Sequence, residues 1–153
     1  RGLGDVYKRQ ILDCTPQGKG SDLVKALGHF STAMRKRTIA FLLSDFKDLE
    51  SGDDLETSLK RTGRRHDLVA IQLDDPLNRD LPAMGWMKLV HPETGQSSWM
   101  NTSSRAQRAW SAQSESHRNQ VATVMARAGI DHTCISTDET LVPPLMKLFH
   151  GRA

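Results

Sequence analysis

The run Ile39–Leu43, five consecutive apolar residues, constrains the fold of this chain more than any other segment. Unbroken apolar runs of strand length are typical of parallel strands that helices cover on both faces. A second run, Leu68–Leu73, contains one polar residue, Gln72, and is followed by Asp74-Asp75-Pro76. The two runs predict a parallel sheet between layers of helices.

The segments around these strands alternate between helical and extended patterns. We predict an α/β fold, a partial doubly wound parallel sheet of three strands with right-handed crossovers and an inserted β-hairpin. Apolar character falls from the first strand to the third, so we expect the first nearest the centre and the third at an edge. In the first half of the chain, the other predicted elements are a helix that begins after Ser21-Asp22 and has Arg35-Lys36-Arg37 at its end, and a helix around Asp54–Thr62. They are followed by hairpin strands Trp86–Val90 and Gln96–Met100, by a helix capped by Thr102-Ser103 and stopped by Gly129, and by a strand Ile130–Ile135. A capping box Ser136–Glu139 then precedes a last helix, which starts late, at Pro143-Pro144, and ends near Phe149.

The first strand lacks a neighbour on its other side. Only Ile11–Cys14 precede the first helix, which is too short for half a sheet, and a bare apolar edge favours aggregation. We therefore expect residues 11–153 to be the C-terminal part of one larger domain. Residues 1–10 are rich in glycine and charge, have no apolar period and resemble a translated adapter sequence, so we interpret them as a non-native tail.

Composition narrows the function classes. The 21 Lys+Arg against 18 Asp+Glu give a net charge of +3, which makes no strong case for nucleic-acid binding. No stretch approaches the ~18 apolar residues of a membrane span, and no signal peptide is recognisable. Two cysteines are too few for a disulfide framework and indicate a reducing compartment, so we expect a cytoplasmic protein.

Two oxygen donors, Ser21 and Asp45, are predicted at the carboxyl edge of the sheet, where open α/β sheets bind ligands. Asp45 follows the most apolar strand, and Ser21 precedes the first helix. A hydroxyl and a carboxylate are ligands suited to Mg²⁺. The alternative is structural: Ser21 as a helix cap and Asp45 as a loop-capping carboxylate.

The other motifs favour structural roles. Gly18–Ser21 lacks the glycine spacing of a phosphate loop. The histidines show no paired metal-ligand spacing; His117 lies on a helix stripe, as hydrogen-bonded core histidines do, and His132 shares a strand face with Cys134. Both cysteines are predicted to be buried, inert thiols.

The hairpin carries two tryptophans. Trp86 and Trp99 are predicted to face each other across the two strands. They either pack the hairpin onto the sheet or mark a surface for a partner, and packing is the commoner arrangement.

From about Ile11 to His150, the chain resembles the C-terminal half of bacterial proteins of the domain of unknown function 58 family, whose fold is similar to the von Willebrand factor A domain. Single matches are weak, but their order over nearly the whole chain is specific. The matching segments are GKGSDLVKAL (18–27), TIAFLLSDF (38–46), RRHDLVAIQLDDP (64–76), Asp80-Leu81-Pro82, HPETG (91–95), NTSSR (101–105), RAGID (127–131) and STDE (136–139).

The resemblance implies a metal-ion-dependent adhesion site that holds Mg²⁺. In that pattern an Asp-x-Ser-x-Ser loop supplies much of the coordination; its strand is absent here, so this chain alone should bind metal weakly. Ser21 matches a threonine position of the pattern, and Asp45 matches a later aspartate that acts through water. The three strands would be the fourth, fifth and sixth of the domain.

The resemblance also implies a non-enzymatic protein-interaction module. Related genes often neighbour MoxR-type AAA+ ATPases, so the expected partner is such an ATPase, in complex assembly or chaperoning. Two alternatives stay open. One is a metal-dependent hydrolase that uses the same crevice, with Asp74 and Asp75 as distant candidates for a base. The other is a structural domain whose metal site is vestigial.

Overall fold

The computed structural model describes residues 9, 12, 13, 15, 21–47, 49, 53–90 and 94–151. Within them the order of elements agrees with the predicted alternation, and one short helix, α3, is additional. The elements are α1 (Leu23–Ala33), β1 (Ile39–Ser44), α2 (Asp53–Arg65), β2 (Asp67–Asp74), α3 (Pro76–Arg79), β3 (Trp86–Val90), β4 (Ser97–Asn101), α4 (Ser104–Ala128), β5 (Asp131–Ser136) and α5 (Val142–His150).

The main sheet is parallel throughout and has the order β1-β2-β5. Strand β5 lies at an edge, as predicted. The expectation for β1 was wrong within the described sheet: β2, not β1, is the central strand. Five consecutive residues of β2, Leu68–Gln72, are buried, whereas exposed and half-buried residues alternate along β1.

One face of this sheet carries the main core. Leu27 of α1, Leu59 of α2 and Val121 of α4 pack there with Ala70 of β2 and the half-buried Leu42 of β1. Helices α1, α2 and α4 therefore share one face. The other face carries Val69 and Ile71, both buried, and α5 packs against β5.

Local signals fix most helix ends. Ser103 caps α4 by accepting a hydrogen bond from the Ala106 amide. Gly129 ends the helix in the left-handed conformation, at φ +67°, which glycine adopts at least cost. The expectation that Arg35-Lys36-Arg37 end this helix was wrong, because α1 ends at Ala33 and has no basic residue in its last turn.

The predicted capping box before α5 was also wrong. Helix α5 begins at Val142 with no side-chain cap, and its first turn holds the two prolines, as expected. The Ser136 hydroxyl instead donates to the Asp138 carboxylate, and the Glu139 amide donates to the Ser136 carbonyl at 3.3 Å. These residues form a turn at the end of β5.

The hairpin forms a separate two-stranded sheet from β3 and β4. In its register Trp86 pairs with Asn101 and Trp99 pairs with Lys88, so the tryptophans are diagonal neighbours and not directly opposed. Both are 67% exposed. Packing onto the sheet was therefore the wrong interpretation for these two side chains, and the partner-surface alternative stays a prediction.

Candidate functional site

The carboxyl ends of β1, β2 and β5 meet at one edge of the sheet, beside the middle of α4. Two pockets open there, of about 610 Å³ and 920 Å³, and Asp45 lines both. The smaller is also lined by Gln72, Asp74, His117 and Arg118. The predicted binding edge thus coincides with a concavity that is lined by both polar and apolar groups.

Asp45 stands just past the end of β1, as predicted. Its Oδ1 atom accepts from the Lys47 amide at 3.4 Å, and its Oδ2 atom lies 3.4 Å from Lys47 Nζ. About half of the side chain is exposed, 49%. These long contacts leave the carboxylate accessible to a ligand from the pocket.

Two sets of contacts hold the loop that contains Asp45, one from α4 and one from the buried ring of Phe46. His117 Nε2 donates to the Asp45 carbonyl at 3.1 Å and so ties α4 to the end of β1. Phe46 adopts φ +56°, a strained value for a residue with a side chain, and its ring is fully buried. Its amide donates to the Ser44 hydroxyl at 3.0 Å. Burial of the ring offsets the backbone strain, so Asp45 is fixed at the mouth of the pocket.

Ser21 is exposed immediately before α1. The structural alternative for this residue was wrong, because Asp22 caps the helix by accepting from the Lys25 amide at 2.9 Å. That hydrogen bond also lowers the pKa of Asp22. The Ser21 hydroxyl is therefore not used as the cap, and Ser21 does not line either pocket beside Asp45.

The oxygen atoms of Asp45 and Ser21 are of a type that suits a hard cation, but two residues are too few to complete its coordination. Carboxylate and hydroxyl oxygens suit Mg²⁺, and of the two predicted donors, Asp45 and Ser21, Asp45 is the one that lines the pockets. Over the described ranges, no three His, Cys, Asp or Glu side chains are grouped in a way that could hold a metal ion. A complete site thus needs oxygen ligands in addition to these two residues.

Sequence reasoning missed an ion-pair cluster centred on Arg79. Its Nε atom lies 3.0 Å from Asp74 Oδ2, and its other nitrogens lie 3.8 Å from Asp138 and 3.9 Å from Glu139. Arg118 adds a second cation at 3.8 Å from Asp74 Oδ2. The contact of Arg79 Nε with Asp74 lacks hydrogen-bond alignment, so it is mainly electrostatic. The cluster joins α3, β2, α4 and the turn after β5.

A sequence signal for this cluster did exist. Asp74 ends an apolar strand, and its side chain is only 8% exposed. A carboxylate in that position needs a cation nearby. Arg79 follows five residues later, but the short helix α3, whose cap Asp75 accepts from the Leu77 amide, was not predicted, so the pairing could not be seen.

The remaining candidate groups do not form a nucleophilic site. Burial raises the pKa of the Cys134 thiol, and the Asp74 charge raises it further. The prediction of a buried thiol was wrong for Cys134, which is exposed, and its low reactivity stays a prediction. Burial lowers the pKa of His132. Cys14 and the segment Gly18–Gly20 lie outside the described residues.

Comparison with known proteins now gives the family. A model described as "Protein of unknown function DUF58" matches residues 6–120, more than half of the chain. The chain belongs to the DUF58 family. An uncharacterized protein of Mycobacterium avium, MAV169, is 24% identical over 137 residues, which cover 90% of this chain and 79% of that protein. No solved structure matches the chain.

In the part of the chain that the structure describes, no helix is both long enough and apolar enough to cross a bilayer.

Proposed function

We propose that this DUF58 chain is part of a protein-interaction module that grips a carboxylate of its partner through Mg²⁺ at the carboxyl edge of the sheet. The observation that carries the proposal is the position of Asp45, half-exposed and rigidly held at the mouth of two pockets. Mg²⁺, when bound, would supply a positive centre whose coordination a carboxylate of the partner can complete.

The residues of this chain would orient the ion without completing its coordination. Asp45 would act through a water molecule, and Ser21 would offer its hydroxyl, with the other ligands outside this chain. Lys47 lies 3.4 Å from the Asp45 carboxylate and competes with a cation for it. We therefore expect weak metal binding by this chain alone.

The partner we propose is a MoxR-type AAA+ ATPase, in complex assembly or chaperoning. Family resemblance supports this partner class. The pocket edge offers the kind of surface that such a contact needs, because Leu73, Leu77 and Trp110 lie beside polar groups there. Interfaces commonly combine an apolar centre with a polar rim.

The hydrolase alternative has less support. Its candidate bases are both engaged in structural contacts: Asp74 is paired with Arg79 and Arg118, and Asp75 caps α3. A general base has to reach the proton that it removes. Neither carboxylate is poised for that role.

Co-purification tests the proposal. The full-length protein is immobilised and exposed to the ATPase with Mg²⁺ or with EDTA, as wild type, as Asp45→Asn and as Glu115→Gln. Glu115 is the matched control, a carboxylate on α4 that lines a different pocket. We expect EDTA and Asp45→Asn to abolish capture and Glu115→Gln to leave it unchanged. Capture that is indifferent to both EDTA and Asp45→Asn would refute the metal-bridged contact.

A further inference from the structure

Six exposed cations lie at the amino edge of the sheet, where α1 and α2 end and β1 and β2 begin. We call them the basic edge, and they are Arg35, Lys36, Arg37, Arg61, Arg64 and Arg65. The segments 34–38 and 61–67 contain these six cations and one carboxylate, that of Asp67, so together they carry a net charge of +5. The whole chain carries +3, which leaves −2 for all its other residues.

Contacts between α1 and α2 bring the two halves of the basic edge together. The Ser31 and Thr62 hydroxyl oxygens lie 3.4 Å apart. The Phe30 ring meets the buried ring of His66 edge-on, with centroids 4.8 Å apart. Because both contacts join the end of one helix to the end of the other, the cations that follow α1 and those that end α2 belong to one surface.

The starts of β1 and β2 are also fixed beside each other. The Asp67 amide donates to the Thr38 carbonyl at 2.9 Å, and Ile39 pairs with Asp67 in the parallel register. Arg37 and Arg65 each precede that pair by two residues. They therefore extend from adjacent backbone segments, about 4.8 Å apart within a sheet. Like charges held this close repel each other, and a bound anion relieves the repulsion.

The fold itself explains only part of the basic edge. Arg64 and Arg65 occupy the last turn of α2, where cations complement the helix dipole. Arg35, Lys36 and Arg37 come after the end of α1 and lie in neither a helix nor a strand. The salt bridges that described residues form on α1, on α2 and at the carboxyl edge use other cations. The three consecutive cations thus point to a ligand outside the fold.

The composition of the basic edge favours a membrane surface over a nucleic acid. Proteins that bind single strands stack bases on aromatic rings, and the segments 34–38 and 61–67 contain no Phe, Trp or Tyr. Proteins that read duplex DNA insert a helix or a β-ribbon into a groove, whereas these cations lie at a helix end and in a connecting segment. Met34, beside Arg35, is 41% exposed. Cations next to exposed apolar side chains suit the boundary between anionic headgroups and acyl chains.

We propose that the basic edge docks this protein on an anionic phospholipid surface, with its cations against the headgroup phosphates. The strands are parallel, so the amino edge and the carboxyl edge lie at opposite ends of the sheet. Docking at the amino edge turns Asp45 and its pockets away from the bilayer, where a protein partner can reach them. This docking requires neither Mg²⁺ nor the proposed ATPase.

Vesicle sedimentation of the full-length protein at low salt tests the proposal. One set of vesicles is pure phosphatidylcholine, and the other contains equal parts of phosphatidylcholine and phosphatidylglycerol. The edge variant replaces the three consecutive cations: Arg35→Gln, Lys36→Gln and Arg37→Gln. The control variant removes the same charge from exposed residues outside the basic edge: Lys88→Gln, Arg105→Gln and Arg108→Gln.

We expect the wild type to bind the anionic vesicles and the edge variant to bind them about 100-fold more weakly, because each cation near an anionic surface contributes about 1 kcal/mol. The control variant should bind like the wild type, and added salt should release both. A second variant on α2, Arg61→Gln with Arg64→Gln, should weaken binding about 30-fold.

Three results would overturn the proposal. One is equal binding of the wild type to neutral and anionic vesicles. Another is equal weakening by the edge variant and the control variant, which would reduce the effect to net charge. The third is retention on a DNA duplex without binding to anionic vesicles, which would assign the basic edge to nucleic acid.

Discussion

Arg79 is predicted to stabilise the fold by pairing with the buried carboxylate of Asp74, and Arg79→Met tests that contribution. At 3.0 Å from Asp74 Oδ2, the attraction is roughly 5 kcal/mol at an effective dielectric constant of about 20. Most of this offsets the desolvation of Asp74, and Arg118 still faces the same oxygen at 3.8 Å. We therefore expect a net loss of about 2 kcal/mol in the free energy of unfolding.

Urea unfolding followed by tryptophan fluorescence measures this loss, as a fall of roughly 1 M in the midpoint. The matched control is Lys60→Met, which breaks the half-buried Glu56–Lys60 pair within α2 and should cost about 0.4 kcal/mol, as i,i+4 pairs on a helix surface do. In an Asp74→Asn background, Arg79→Met should cost less than half as much as in the wild type. Equal effects of Arg79→Met and Lys60→Met would refute the reasoning.

Three further predictions follow from local geometry. Burial depresses the pKa of His132 below its ordinary 6.5, so the unfolded chain binds a proton at this residue more readily than the folded chain does. The free energy of unfolding should therefore fall as the pH drops below 6.5. The variant His132→Gln should lessen that fall in a pH series of urea titrations. Gly129→Ala, at φ +67°, should lower the free energy of unfolding by about 1 kcal/mol. Gly28→Ala, in α1 with open space around its Cα, should raise the free energy of unfolding by about 0.5 kcal/mol. Melting temperatures of the two variants that shift in the same direction would contradict this prediction. Burial and the charge of Asp74 raise the pKa of Cys134. Iodoacetamide at pH 8 should therefore alkylate Cys134 more slowly than it alkylates the thiol of free glutathione, and equal rates for the two thiols would be evidence against the raised pKa.

The strands were predictable because their signal is local. The apolar runs of β1 and β2 lie within one residue of the observed strands, and the Ser103 cap and the Gly129 stop lie where predicted. Each of these signals depends on neighbours in the chain. Sequence alone can therefore place them.

The sequence predictions failed where contacts between residues far apart in the chain determine the structure. Composition predicted β1 at the centre, but a strand's position depends on which strands pair with it. The diagonal arrangement of Trp86 and Trp99 depends on the register, in which Trp86 pairs with Asn101, two residues beyond Trp99. The Ser136–Glu139 pattern has the residues of a capping box but occurs in a turn, because α5 begins later.

The candidate site was predictable only in part. Asp45 was placed correctly at the carboxyl edge, since the end of an apolar strand marks it. Ser21 was assigned a possible capping role that Asp22 holds. The position of Asp74 at the end of an apolar strand indicated that its carboxylate needs a cation, but Arg118 lies 44 positions away in sequence and the helix that carries Arg79 was not predicted.

The central claim is that Asp45 couples Mg²⁺ to partner binding, and the most direct measurement is a thermodynamic cycle. The affinity of the full-length protein for the ATPase is measured with and without Mg²⁺, in the wild type and in Asp45→Asn. We predict that Mg²⁺ tightens binding about tenfold or more in the wild type, 1.4 kcal/mol at tenfold, and leaves Asp45→Asn unchanged. An equal effect of Mg²⁺ on both proteins would contradict the account.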